Sequence, residues 1–106
     1  MYELSNVSIV IVSFNSEEKL LELFPSIPES CELIIVNNAS NSLPQELKKS
    51  RDFIEIHNSE NKGFGTACNI GVTKASKDFI FLLNPDTFLK DHCLENLLKV
   101  CKDFPN

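Results

Sequence analysis

Apolar residues along this chain come in short continuous blocks separated by stretches of helical periodicity. The first block, Val7-Ser8-Ile9-Val10-Ile11-Val12, is rich in β-branched residues and reads as a central strand. The periodicity then predicts a helix over about 16–24, with Leu20, Leu21, Leu23 and Phe24 on its apolar face. Asn15 is the expected N-cap, Glu18 completes a capping box, and Pro25 and Pro28 end the helix. Leu33-Ile34-Ile35-Val36 is a second strand, followed by a short helix with Ser42 as cap and Pro44 in its first turn. Phe53-Ile54-Glu55-Ile56-His57 alternates apolar and polar, as a strand with one wet face does, which places it at a sheet edge. A glycine-containing segment opens a third helix that ends near Ser76. Phe79-Ile80-Phe81-Leu82-Leu83 is continuous enough to be a strand buried on both faces. A last helix runs from about Asp91, with Leu94, Leu97, Leu98 and Cys101 at core spacing.

Four strands alternating with four helices predict βαβ units, hence an α/β fold: a Rossmann-like three-layer parallel sheet with helices on both faces. With the wet third strand outermost and the most apolar strands inside, the simplest strand order is 3-2-1-4. The topological switch then falls between strands 1 and 4, where such sheets hold ligands beyond the carboxyl ends of their strands.

Composition narrows the possibilities. A chain of 106 residues makes one domain, spanning 1–106, with one modest core. Ten basic against fifteen acidic residues, a net charge of −5, disfavour nucleic acid and anionic membrane surfaces as partners. No apolar run approaches the length of a membrane span, and the first six residues lack the pattern of a signal peptide, so a cytoplasmic protein is expected. Cys31, Cys68, Cys93 and Cys101 form no CxxC pair and read as small thiols of the interior, with Cys93 and Cys101 sharing the inward face of the last helix. Neither they nor His57 and His92 have the spacing of a metal cluster.

The residues just after each predicted strand carry the candidate chemistry. They are Ser13-Phe14-Asn15, then Asn37-Asn38-Ala39-Ser40, then Asn58 to Asn61, then Asn84-Pro85-Asp86-Thr87. Asn, Ser and Asp form turns and caps anywhere, and one such loop alone would mean no more than that. Four of them on one sheet edge point to a site for a polar ligand. Phe14 either stacks on a flat ligand or covers the end of the core. Asp86 is either a turn former or the one carboxylate at the switch point, and a hard divalent cation held through phosphates needs just one or two. All three glycines lie within Gly63-Phe64-Gly65-Thr66-Ala67-Cys68-Asn69-Ile70-Gly71. Gly63 and Gly65 at a helix start suit either an anion beside backbone N–H groups or close packing, and Gly71 suits close packing. The first turn contains no glycine, which argues against a dinucleotide fingerprint.

In their order, VSIVIVSFN (7–15), ELIIVNNAS (32–40), NSENKGFGTACNIGV (58–72) and FIFLLNPDT (79–87) resemble the amino-terminal half of the family 2 glycosyltransferases, enzymes of the GT-A fold. The resemblance covers nearly the whole chain and implies a nucleotide-sugar site built from Ser13, Phe14, Asn15, Asn37, Asn38, Gly63, Gly65, Asn69 and Asn84. Phe14 matches the aromatic position beside the nucleobase, Asn38 an acidic position that reads the base edge, and Asn69 a polar position on the helix near the donor. Asn84-Pro85-Asp86 stands where the family has a DxD-like motif, which implies Mg2+ or Mn2+ on the diphosphate at Asp86. Asn37-Asn38 replaces the usual acidic residues, and Pro85 replaces a carboxylate, giving an NPD form similar to that of rhamnosyltransferases.

The implied donor is a nucleotide diphosphate sugar, deoxythymidine or uridine diphosphate being the expected carriers, and the implied reaction is inverting transfer to an acceptor hydroxyl. The family's general base lies beyond the DxD-like loop, and this chain ends about 20 residues after it. The expectation is therefore a donor-binding half that lacks the base, whose fourth strand presents an apolar edge for homo-oligomer formation. The alternative is a non-catalytic binding or interaction module on the same scaffold. Nucleotidyltransferases need a glycine-rich basic loop after the first strand, and receiver domains need acidic residues there; neither is present.

Overall fold

The computed structural model describes residues 2–103 apart from Phe88 and Asp91, so the expected start of the last helix at Asp91 lies outside the described residues. The strands are β1 (Val7–Ser13), β2 (Glu32–Asn37), β3 (Ile54–His57) and β4 (Phe79–Leu83). The helices are α1 (Glu17–Leu23), α2 (Gln45–Ser50), α3 (Phe64–Lys74) and α4 (Cys93–Asp103). All strand pairs are parallel and the order is β3-β2-β1-β4, as the pattern predicts.

Alternation along β1 divides the interior. Val7, Ile9 and Ile11 point to one face with Leu33 and Ile35, where Leu20 and Leu23 of α1, Leu47 of α2 and Leu94 and Leu98 of α4 cover them. Val10 and Val12 point to the other face with Ile34 and Val36, where Ala67 and Cys68 of α3 cover them. Every residue of β1 is buried, as a central strand requires. Gly71 is the closest approach of α3 to the sheet. A Cβ there would lie 2.4 Å from Val10 Cγ1 and 3.0 Å from Val36 Cγ2, so only glycine lets the helix sit this low.

Several local expectations are corrected. Ser16, not Asn15, is the N-cap of α1. Asn15 takes a left-handed backbone with φ 53°, and the Ser16 hydroxyl donates back to the Phe14 carbonyl, so no capping box forms. The helix does end ahead of Pro25 as expected, at Leu23, and Pro25 lies in a 3-10 turn over Phe24–Ser26. Pro44, extended at φ −65° and ψ 150°, takes the N-cap place of α2 expected for Ser42. Leu21 and Leu97 are exposed, and Cys93 and Cys101 are half-buried, so the inward faces of α1 and α4 are narrower than their apolar spacing suggests.

The largest correction concerns β4. Phe79, Phe81 and Leu83 pack on the core, but Ile80 and Leu82 are 38% and 53% exposed. They lie on the α3 side of the sheet, and α3 packs over β1 and β2. Burial raises the thiol pKa of Cys31 and of Cys68, keeping both protonated, in keeping with packing roles.

Candidate functional site

The carboxyl ends of β1, β2 and β4 open into a cleft of about 390 Å3 at the switch point. Phe14 follows β1 and is 51% exposed, its ring standing free of the core. The loop after β4 is a turn in which the Thr87 hydroxyl and amide both donate to the Asn84 carbonyl, at 2.7 and 3.3 Å. Pro85 stiffens its second position, so Asn84 and Asp86 project at its rim, both exposed. Asn38, Asn61 and Phe64 form the opposite wall, and Val12 of β1, Ser16 at the cap of α1 and Lys19 of α1 complete the lining.

Of the strand-end residues singled out in the sequence, Phe14, Asn38, Asn61, Asn84, Pro85 and Asp86 line this cleft. Ser13 is fully buried with its hydroxyl unpartnered, and it shares the α1 face of the sheet with Ile11. Asn37, 1% exposed, closes its own loop: its Nδ2 donates to the Asn41 carbonyl at 2.6 Å and its Oδ1 accepts from the Ala39 N–H at 3.3 Å. Asn15, Gly65 and Asn69 are exposed outside the lining. Gly63, with φ 87°, caps α3, and its N–H is already donated to Asn61.

Asn38 is the centre of an amide network. Only 2% exposed, it donates from Nδ2 to Asn61 Oδ1 at 2.9 Å and to the Gly63 carbonyl at 3.4 Å. Its Oδ1 accepts from Asn58 Nδ2 at 3.0 Å and from the Lys62 N–H at 3.1 Å. Both N–H groups and both lone pairs are used, and loop 58–63 is thereby tied to the end of β2. Phe64, Ser16 and Lys19 were not singled out in the sequence. Lys19 was legible in principle, as the polar position one turn into the helix that starts at the switch point, whereas the bonds that hold Asn61, from Asn38 Nδ2 and the Gly63 N–H, were not.

Asp86 fits a hard divalent cation in the chemistry of its donor set: an exposed carboxylate beside the Asn84 amide, in an open cleft that leaves room for phosphate and water oxygens. Among the described residues no group of three or more His, Cys, Asp or Glu gathers, so an all-protein metal cage is not formed there. No helix of the described residues is long and apolar enough to cross a membrane.

An open parallel α/β sheet in this strand order, with a polar cleft at its switch point, defines a Rossmann-like fold. The chain belongs to glycosyl transferase family 2, whose model matches residues 8–106. It is 30% identical over 95 residues to poly-beta-1,6-N-acetyl-D-glucosamine synthase of Staphylococcus aureus strain COL, a match covering 82% of this chain and 23% of that protein. It is 26% identical over 101 residues to a low-salt glycan biosynthesis hexosyltransferase of Haloferax volcanii, covering 92% of this chain and 33% of the relative. Among solved structures, a mannosyltransferase from Pyrobaculum calidifontis in complex with GDP-Man and Mn2+ superimposes with a TM-score of 0.73 at 15% identity. That match covers 88% of this chain and 31% of the other, and it supports the GT-A type of fold. The chain therefore spans a quarter to a third of the length of these relatives.

Proposed function

We propose that this chain is the donor-nucleotide-binding portion of a glycosyltransferase that takes a nucleotide diphosphate sugar and transfers the sugar to an acceptor hydroxyl with inversion. The observation that carries the reading is the convergence of Phe14, Asn38, Asn84 and Asp86, from loops far apart in sequence, on one switch-point cleft. The Phe14 ring stacks on the base, and Lys19 offers the lining's cation to the diphosphate. Asp86, beside Asn84, holds Mg2+ or Mn2+, which when bound stabilises charge on the departing diphosphate. In the transfer, the acceptor oxygen bonds to the anomeric carbon as the bond from that carbon to the diphosphate oxygen breaks.

Deoxythymidine or uridine diphosphate hexoses fit the rhamnosyltransferase-like NPD turn, and the hexosyl relatives support the sugar class. The free cysteines, with Cys31 and Cys68 buried, suit a reducing cytoplasmic setting. Self-pairing through β4, where Ile80 and Leu82 stand exposed, is the expected oligomer, and a strictly monomeric species in sedimentation at high concentration would count against it.

Titration calorimetry with UDP, dTDP and GDP in the presence of Mn2+ tests the reading. Asp86→Asn is expected to weaken binding about tenfold or more, equivalent to about 1.4 kcal/mol, and to change nothing when the metal is chelated. Equal affinities with Mn2+ present would remove the metal assignment. No nucleotide binding, together with a stable complex with another protein, would favour the interaction module instead.

A further inference from the structure

The amide network at the cleft has a polarity that its backbone partners set. A backbone N–H only donates, so the Lys62 N–H at 3.1 Å identifies the Asn38 atom it meets as Oδ1, and the Gly63 N–H at 2.8 Å does the same for Asn61. With both oxygens assigned, the remaining contact runs from Asn38 Nδ2 to Asn61 Oδ1 at 2.9 Å. Asn61 Oδ1 thus takes two donors, and Asn61 Nδ2 is left without a partner among the described residues, on an exposed side chain that lines the cleft near Phe14. Asn38, buried and with its bonding capacity used, has nothing left for a ligand.

We propose that Asn61, not Asn38, reads the edge of the base in this cleft, donating from Nδ2 to a keto oxygen, while Asn38 is a positioning residue that fixes which end of the Asn61 amide faces the ligand. This rests on the donor-nucleotide reading above and adds to it the specificity-determining residue and the sign of the hydrogen bond. Keto bases such as uracil, thymine and guanine offer the acceptor; adenine presents an amino group in its place.

Two substitutions separate recognition from folding. Asn61→Asp keeps an oxygen for the Gly63 N–H and for Asn38 Nδ2, so the loop stays braced, but turns the cleft-facing donor into an acceptor. Asn38→Asp keeps the acceptor for Asn58 and Lys62 but loses the donor to Asn61. A direct reader at position 38 that accepts from a base N–H would gain from the carboxylate, whereas a brace loses by it, so the two roles predict opposite signs.

The test is calorimetry of the full chain and both variants with UDP, dTDP, GDP and ADP, alongside proton exchange of the side-chain amides by NMR in the free protein. The wild type is expected to bind its best keto nucleotide at least tenfold more tightly than ADP, the difference one good hydrogen bond makes. Asn61→Asp is expected to erase that preference, and Asn38→Asp to weaken keto binding. The Asn38 amide protons should exchange slowly and those of Asn61 fast until a keto nucleotide is added. Nucleotide binding with a preference unchanged by Asn61→Asp, or strengthened by Asn38→Asp, overturns this assignment and leaves the donor-site reading standing. Absence of any nucleotide binding by the wild type overturns both.

Discussion

The two ends of the sheet are braced by different chemistry. At the amino end, the Glu32 carboxylate accepts from the Ser8 hydroxyl at 2.6 Å and from the Ser76 amide and hydroxyl at 2.9 and 2.8 Å. Ser8 Oγ in turn accepts from the Lys77 N–H, so the chain leaving α3 is fastened to β1 and β2 by charge-assisted bonds. At the carboxyl end, loop 58–63 is fastened to β2 by the side-chain amides of Asn38, Asn58 and Asn61, and the His57 imidazole at the end of β3 bonds through Nε2 to the Ala39 carbonyl at 2.7 Å. The lesson is that the closed end carries a carboxylate that accepts three bonds from the fold, while the loop that walls the cleft is held by side-chain amides that keep their hydrogen-bonding pattern at any moderate pH. A cleft wall that must present the same donors and acceptors to a ligand gains from an amide brace of this kind, which does not titrate.

Substitutions distinguish the two braces. The largest effect is expected where α3 joins them. Gly71→Val would force side-chain atoms against Val10 and Val36 and lift the helix from both ends, lowering the unfolding free energy by about 3 kcal/mol in urea titrations. Asn38→Ala should loosen the carboxyl end alone, stranding the Lys62 N–H and the Asn61 amide at a cost of about 2 kcal/mol. That loss should be the same from pH 5 to pH 9, because no member of the network titrates there.

Glu32→Gln should differ in this respect. Burial alone would raise the Glu32 pKa, but the bonds from Ser8 and Ser76 outweigh it and hold the pKa below the ordinary glutamate value. The carboxylate therefore contributes stability that is complete above the unfolded pKa and vanishes as pH falls through the lower folded one. On this partly exposed side chain we expect the wild type to exceed the variant by about 1 kcal/mol or less at pH 7, the gap closing on acidification toward pH 3 in denaturation curves. The smallest effect belongs to Gly65, which touches neither brace. An added Cβ there meets nothing within 4 Å, so Gly65→Ala should stabilise by about 0.5 kcal/mol through helix propensity and leave nucleotide binding unchanged.

What was legible in the chain follows the range of the interactions involved. The order β3-β2-β1-β4 agrees with the local patterns, the β-branched run in Val7–Val12 marking a strand buried on both faces. β3 does take the edge, but not with one dry face, since Ile54 is 39% exposed while Phe53 and Ile56 pack on opposite core clusters. The placing of Phe14 and Asp86 at one cleft follows from topology, since strand ends at a switch point converge whatever their loops contain. The occupation of Asn38 was not legible. It depends on Asn58 and Asn61, twenty or more positions away, and on the left-handed turns at Ser59 and Gly63 that bring them back to β2. Likewise, the apolar run of β4 signals burial on two faces, but whether the second face is covered depends on how far across the sheet α3 reaches, and it stops over β1 and β2.

The low seat of α3 on the sheet makes a core dimension into a recognition dimension. Gly71 and the Gly63 cap lie on one rigid rod about 12 Å apart, the rise of eight helical residues, so the helix works as a lever with its fulcrum where glycine meets Val10. A tilt there too small to disturb the hydrophobic interior would still move the loop that carries Asn61 against Phe14 and Asp86. Any attempt to re-tailor the cleft, or to thicken the apolar layer beneath α3 for robustness, therefore has to treat a residue buried against valines as part of the gauge that sets the width of the site.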